Sequence, residues 1–310
     1  MSKKALSQSQ AGYSLVELMI SMMLGLLLST AIISVLFGVS RTYQVKSALE
    51  AIQENSLLGL HFLANDLKTA GFKGCFEGEF DQINIISKGA VADKLTYFTA
   101  IDGSTGLSYG PDAMSFITSV GIGLDVLADM PTTHSSIDLL PGYSALLDTE
   151  MLITDCQQAD LFTVTGVWGQ RFSHDLTMNT DDNLSQAYSK GAIAYPLSII
   201  SYKLAKGVGG NTGLFRKEGS GSYQELIANV KSMRISYGIP DLYSFKVSYL
   251  SAEKVSDFNR VISIKVQLLL SSQKAVLSEK MNYFNFDNKK VLADDLKLYK
   301  VYSIHVNVAK

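Results

Sequence analysis

Charge, cysteine and early proline are what this sequence has least of. Asp, Glu, Lys and Arg make up 18% of its 310 residues, below the usual quarter, and the deficit has a location: no charged residue occurs between Leu18 and Ser40. No proline precedes Pro111, so nothing upstream of it forces a helix to break. Cys75 and Cys156 are the two cysteines; they read as free thiols in a reducing compartment and as a pair in an oxidising one. A net charge of −2 argues against a general polyanion binder. The length suits one large domain or two ordinary ones.

The signatures of catalysis are also missing. His61, His134, His174 and His305 are scattered, and none stands at metal-ligand spacing with another His, Cys or carboxylate. There is no nucleophile elbow, no phosphate loop and no dinucleotide fingerprint. "GVGGNTG" (207–213) lacks the Lys-Ser/Thr pair of a phosphate loop and reads as a hairpin turn. "MNTDDNLS" (178–185) has no calcium-ligand order and reads as a solvated acidic loop. "KMNYFNFDNKK" (280–290) reads as a half-buried strand with a lysine rim, and not as a stacking platform for single-stranded nucleic acid. No enzyme activity, cofactor, metal site or nucleic-acid partner is expected.

One long apolar run is present. "LMISMMLGLLLSTAIISVLFGV" (18–39) would be about 33 Å long as a helix, enough to cross a hydrocarbon core of about 30 Å. Lys3 and Lys4 in the polar leader predict that the N-terminus stays cytoplasmic. Glu17 at the start of the run is costly, about 2.5–3.5 kcal/mol in hydrocarbon, and so calls for a partner. Ser29-Thr30-Ala31 allows a cleaved secretory signal, although the run continues past it. An uncleaved anchor explains the length but not Glu17, unless that carboxylate snorkels to the interface.

Beyond the run, Val45, Leu49, Ile52, Leu60, Leu63 and Leu67 recur at helical steps, with Ser56 in the gap. One helix is therefore expected over 13–70, stopped at Gly71, its outer half packed under its own head. Gly25, Gly38 and Gly59 would permit close approach. From 71 onward, short strand-like segments follow, the clearest being "VISIKVQLLL" (261–270) with its strict alternation. The expected fold class is α+β, a long N-terminal helix on an antiparallel β-rich head.

"AGYSLVELMISMMLG" (11–25) resembles the class III signal of type IV pilins and type II secretion pseudopilins: basic leader, glycine, aromatic residue, then glutamate at the fifth position. The resemblance implies cleavage by prepilin peptidase between Gly12 and Tyr13, and N-methylation of Tyr13. The new α-ammonium on Tyr13 would then neutralise Glu17, within a subunit or between neighbours. The implied organisation is a leader over 1–12, a transmembrane part over 13–39, an amphipathic part over 40–70 and a periplasmic head over 71–310.

Three later patches, "LANDLKTAGFKGC" (63–75), "MLITDCQQADLFTV" (151–164) and "SYKLAKGVGGNTGLFRKEG" (201–219), resemble PilW-type minor pilins, and the order continues through 225–238 and 261–270. That resemblance implies a periplasmic Cys75–Cys156 disulfide, with two buried free thiols as the alternative. It also implies a role in initiating or capping type IV pili. The implied partners are prepilin peptidase, other minor pilins, the major pilin, the inner membrane and the pilus assembly platform. A type II secretion pseudopilin of the J class shares the plan, and a signal-anchored periplasmic enzyme or binding protein is the rival from another class. Residues 88–150, 168–190 and 274–300 match nothing recognisable.

Overall fold

The computed structural model describes residues 14–97, 99–106, 110–140, 147–207, 209–241 and 246–308. A single helix, α1 (Leu15–Lys68), runs for 54 residues, as the missing prolines allow. Ser14, extended in backbone, caps it by accepting a bond from the Val16 amide at 3.3 Å. It ends at Thr69, and Gly71 follows in the left-handed region that a side chain would disfavour. Within the apolar half, the Ser21, Thr30 and Ser34 hydroxyls bond to carbonyls of the preceding turn. Each of these polar groups is thereby satisfied without water.

The head begins with β1 (Asn84–Ile85), the short helix α2 (Ala90–Tyr97), β2 (Ile101–Gly106), β3 (Gly110–Ser119), β4 (Leu124–Asp125) and β5 (Ile137–Asp138). Next come β6 (Glu150–Thr154), β7 (Ala159–Thr163), β8 (Gly166–Trp168), β9 (Arg171–Ser173), β10 (Ile193–Lys206), β11 (Thr212–Glu218) and β12 (Gln224–Ile227). The chain closes with β13 (Val230–Pro240), β14 (Val247–Leu250), β15 (Ser263–Ser271), β16 (Asn282–Phe284), β17 (Lys290–Leu292) and β18 (Tyr299–Asn307).

The largest sheet follows β1-β7-β6-β10-β11-β12, with β3 and β4 also on β10 and β2 on β3. Its pairings are antiparallel apart from β1 on β7, which is parallel. The fourteen residues of β10 join two lobes, its first half on β6 and its second on β3 and β11. The glycine-rich segment after Lys206 turns the β10–β11 hairpin, closed by the Gly207 amide on Asn211 at 2.8 Å. A second sheet runs β14-β13-β15-β18, and the β16–β17 hairpin packs on its Leu269, Tyr299 and Val301, with Tyr283 stacked on Tyr299 at 5.0 Å.

The main core lies between α1 and both sheets. Ile52, Ser56, Gly59, Leu60, Leu63 and Leu67 are the buried face of the helix, whereas Leu49 stays exposed. Full burial of a leucine is worth about 1.5–3 kcal/mol, so this short stripe contributes strongly to seating the helix. A second core, around β4 to β9, contains no residue of α1. A third, around Phe76, Val91, Leu152 and Leu161, joins the two beneath the chain that leaves the helix. Helix α2 and the β5-β9-β8 sheet fall mainly in the stretch where the sequence offered no recognisable pattern.

Candidate functional site

Chemistry in this molecule is concentrated along α1 and at its seat in the head. From Leu15 to Val39 the helix is exposed throughout; Leu24, Leu27 and Phe37 are 54%, 59% and 73% accessible. Leaving such a surface in water is unfavourable, so it must be covered by lipid or by other apolar helices. The helix is long and apolar enough to cross a membrane. Glu17 lies in its first turn, where the helix dipole favours a carboxylate, and its side chain is exposed. Gly12 and Tyr13, the sequence-derived processing site, lie outside the described residues.

At the other end, one acidic residue fixes the helix to the sheet. The Tyr202 hydroxyl donates to Asp66 Oδ2 at 2.6 Å, and Arg216 Nε donates to the same oxygen at 2.6 Å. Arg216 also bonds Glu218 at 2.9 Å. Tyr202 and Arg216 face each other on β10 and β11, so both donors reach α1 from one rung of the hairpin. Burial and the neighbouring Asp66 push the Tyr202 phenol well above its ordinary pKa. Burial opposes the charge on Arg216, but its bonds to Asp66 and Glu218 outweigh that and raise its pKa.

Beyond the helix, the chain is fastened twice more. The Thr118 hydroxyl bonds Thr69 at 2.6 Å, and the Gly71 amide bonds the Ile117 carbonyl at 2.9 Å. Cys75 and Cys156 are joined, with Cα atoms 4.8 Å apart and a sequence separation of 81. Cys156 adopts a left-handed backbone at the β6–β7 turn, where the Asp155 carboxylate accepts from the amides of Gln157 and Gln158. The helix exit is thus covalently tied to a hairpin of the head.

The acidic loop over 178–185 is built for structure. Buried Asn179 exchanges bonds with the backbone of Thr163, while Asp181 and Asp182 bond Asn183. Among the described residues no group of three His, Cys, Asp or Glu side chains could hold a metal ion. Buried Asp160 is satisfied by Asn84, Ser185 and Tyr188, and Glu150 receives the Val91 and Ala92 amides at the start of α2. Sequence reasoning did not single out the Asp66–Arg216–Tyr202 contact. The only signals available were a lone Asp beside the buried stripe and a lone Arg in a strand.

Residues 7–38 match the prokaryotic N-terminal methylation motif, and residues 201–309 match the family model described as type IV pilus-assembly protein W. Together the two matches support a type IV pilus minor pilin of the PilW type. The first match covers the start of the bare helix; the second covers the end of β10 from Ser201, then β11, β12 and the second sheet, which form much of its seat. No curated protein and no solved structure matches the chain. Pilin families are structural, and the methylation motif carries processing by prepilin peptidase and assembly with other pilins. Its apolar helix fits a membrane-anchored pilin.

Proposed function

We propose that this pilin acts in the priming or tip complex of a type IV pilus, beside other minor pilins, the major pilin and the assembly platform. In this reading it enters the inner membrane with a cytoplasmic N-terminus and a periplasmic head over 71–310. Prepilin peptidase cuts between Gly12 and Tyr13, and Tyr13 becomes N-methylated. The observation that carries the reading is the division of α1: its inner half is apolar and unpartnered, while its outer half is locked to the head by Asp66 and a buried stripe. A subunit built this way exposes one surface for lateral packing and keeps its head rigid on the same rod.

Glu17 serves as the register of that packing. A carboxylate surrounded by apolar helices is tolerated when a cation is desolvated with it, and the Tyr13 ammonium of a neighbouring subunit supplies one. Glu17→Ala should therefore leave processing and membrane insertion intact while removing the subunit from pili.

Mass spectrometry of the N-terminal peptide tests the reading directly. The expected mature chain starts at N-methylated Tyr13, and a chain starting at Met1 or after Ala31 overturns it. For the priming role, a deletion strain should lose surface pili; normal pili with blocked exoprotein release would point to the secretion pseudopilin instead.

A further inference from the structure

A groove of about 570 Å³ opens between α1 and the loops of the head that overhang it. We propose that it binds the phosphodiester headgroup of an anionic membrane phospholipid while the pilin waits in the bilayer. The inference rests on the membrane-anchored reading of α1 and adds a ligand to it.

The lining has the chemistry of an amphipathic ligand. Tyr43, Ser47 and Asn55 face in from the helix, and Asn229, Gln273 and Lys274 from the head. Its apolar part is Ala48, Ala51 and Ile52, on the same helix that continues into the apolar run, with Leu270 of β15 across from them. Lys274 makes no ion pair among the described residues, and its ammonium is an available phosphate partner. Asn229 uses its side-chain oxygen to accept from Asn211, which leaves its amide NH₂ for an acceptor in the groove.

Position supports the same ligand. Tyr43 stands four residues past Val39, about 6 Å along the helix, which is the depth of the polar layer outside the hydrocarbon. It is 72% exposed, as an interfacial aromatic residue would be before the membrane covers it. Arg41 stands beside this level on the same helix and adds to the attraction for an anionic surface, whereas Lys46 is paired with Glu50 at 3.8 Å. A headgroup held at the lower rim can keep its acyl chains beside the apolar run. The lipid would have to leave before a neighbouring helix could occupy the groove in the filament.

The test uses the full mature chain in nanodiscs, one set of phosphatidylglycerol and one of phosphatidylcholine, with native mass spectrometry counting retained lipids. One phosphatidylglycerol should survive mild activation on the wild type and none of the phosphatidylcholine. K274A should weaken retention about fivefold, as loss of one surface cation would. A51W should abolish it by filling the groove, whereas K246A, outside it, should change nothing. Equal retention of both lipids, or of phosphatidylglycerol in A51W, overturns the proposal. Displacement by free glycerol phosphate at millimolar concentration would also overturn it, by showing a soluble-anion site. Loss of lipid binding with a correctly processed N-terminus would sink this inference alone, since the pilin reading is decided by the N-terminal mass. A groove empty of lipid that crosslinks to another pilin's helix would assign it to a protein partner.

Discussion

The Asp66 carboxylate and the Arg216 guanidinium stand 150 positions apart in sequence and 2.6 Å apart in space. Both side chains are about a quarter exposed, so water screens the pair only in part. Because Tyr202 shares the same oxygen, removing Asp66 strands two donors at once. Asp66→Ala should cost about 1.5–3 kcal/mol, the range for bonds to a charged acceptor. Hydrogen exchange over residues 60–68 should rise while the second core keeps its protection. Unchanged exchange at the helix exit would show that the apolar stripe alone seats α1.

The Cys75–Cys156 bond should behave as a long-range staple. Loop-closure entropy for a link of this span gives roughly 4–5 kcal/mol as an upper value. C75A/C156A should lower the thermal midpoint, and reductant should lower that of the wild type towards the same value. Non-reducing peptide mapping of periplasmic material should recover the linked pair; alkylatable thiols there would refute it.

His174 gives the stability an acid limb. It is 3% exposed, donates through Nε2 to the Ser135 carbonyl at 3.1 Å, and among the described residues has no hydrogen-bond partner at Nδ1. Burial pushes its pKa below the ordinary 6.5, against the pull of the Ser135 bond and of Asp160 and Asp182. The unfolded chain therefore takes up a proton first as pH falls. The stabilisation from the neutral ring is complete above pH of about 6.5 and is lost from there down to the lowered folded value. Urea midpoints from pH 7.5 to 5 should fall more steeply for the wild type than for H174Q; parallel slopes would remove His174 from the account.

How far the sequence revealed this arrangement depended on the range of each signal. The helix was legible because its cues are local: a charge-free run, absent proline, and a stripe at three- and four-residue steps ending near Gly71. The alternation of Ile264, Val266 and Leu268 likewise marked β15, but Ile262 falls before the strand, and seven of its nine residues are buried where alternation implied a half-buried one. Leu49 continued the stripe in sequence yet stays exposed, although Val45 and Ala48 beside it are partly covered. The Asp66 contact was illegible for the opposite reason. Nothing near Asp66 shows that Tyr202 and Arg216 share a rung, which is a consequence of hairpin register. The parallel β1–β7 pairing and helix α2 depend on similar long-range closure.

Gly59 offers the sharpest test of the seat, because two opposing effects can be separated there. It lies on the buried face of α1 directly against Ile227 of β12, where a Cβ would collide with the isoleucine side chain. Alanine should gain up to about 1 kcal/mol in helix propensity at an interior position. Overpacking against a side chain that is 1% exposed should cost about 1–3 kcal/mol. Gly59→Ala alone should therefore be neutral to destabilising by up to about 2 kcal/mol, the difference of the two terms. Ile227→Ala should destabilise by about 2–5 kcal/mol through the cavity it leaves. In that background the collision is gone, and Gly59→Ala should become stabilising by up to about 1 kcal/mol. A double-mutant cycle from urea unfolding measures the coupling, and its sign is the prediction. Additive effects would mean that α1 and β12 do not touch at this glycine, and that the close approach serves some other neighbour.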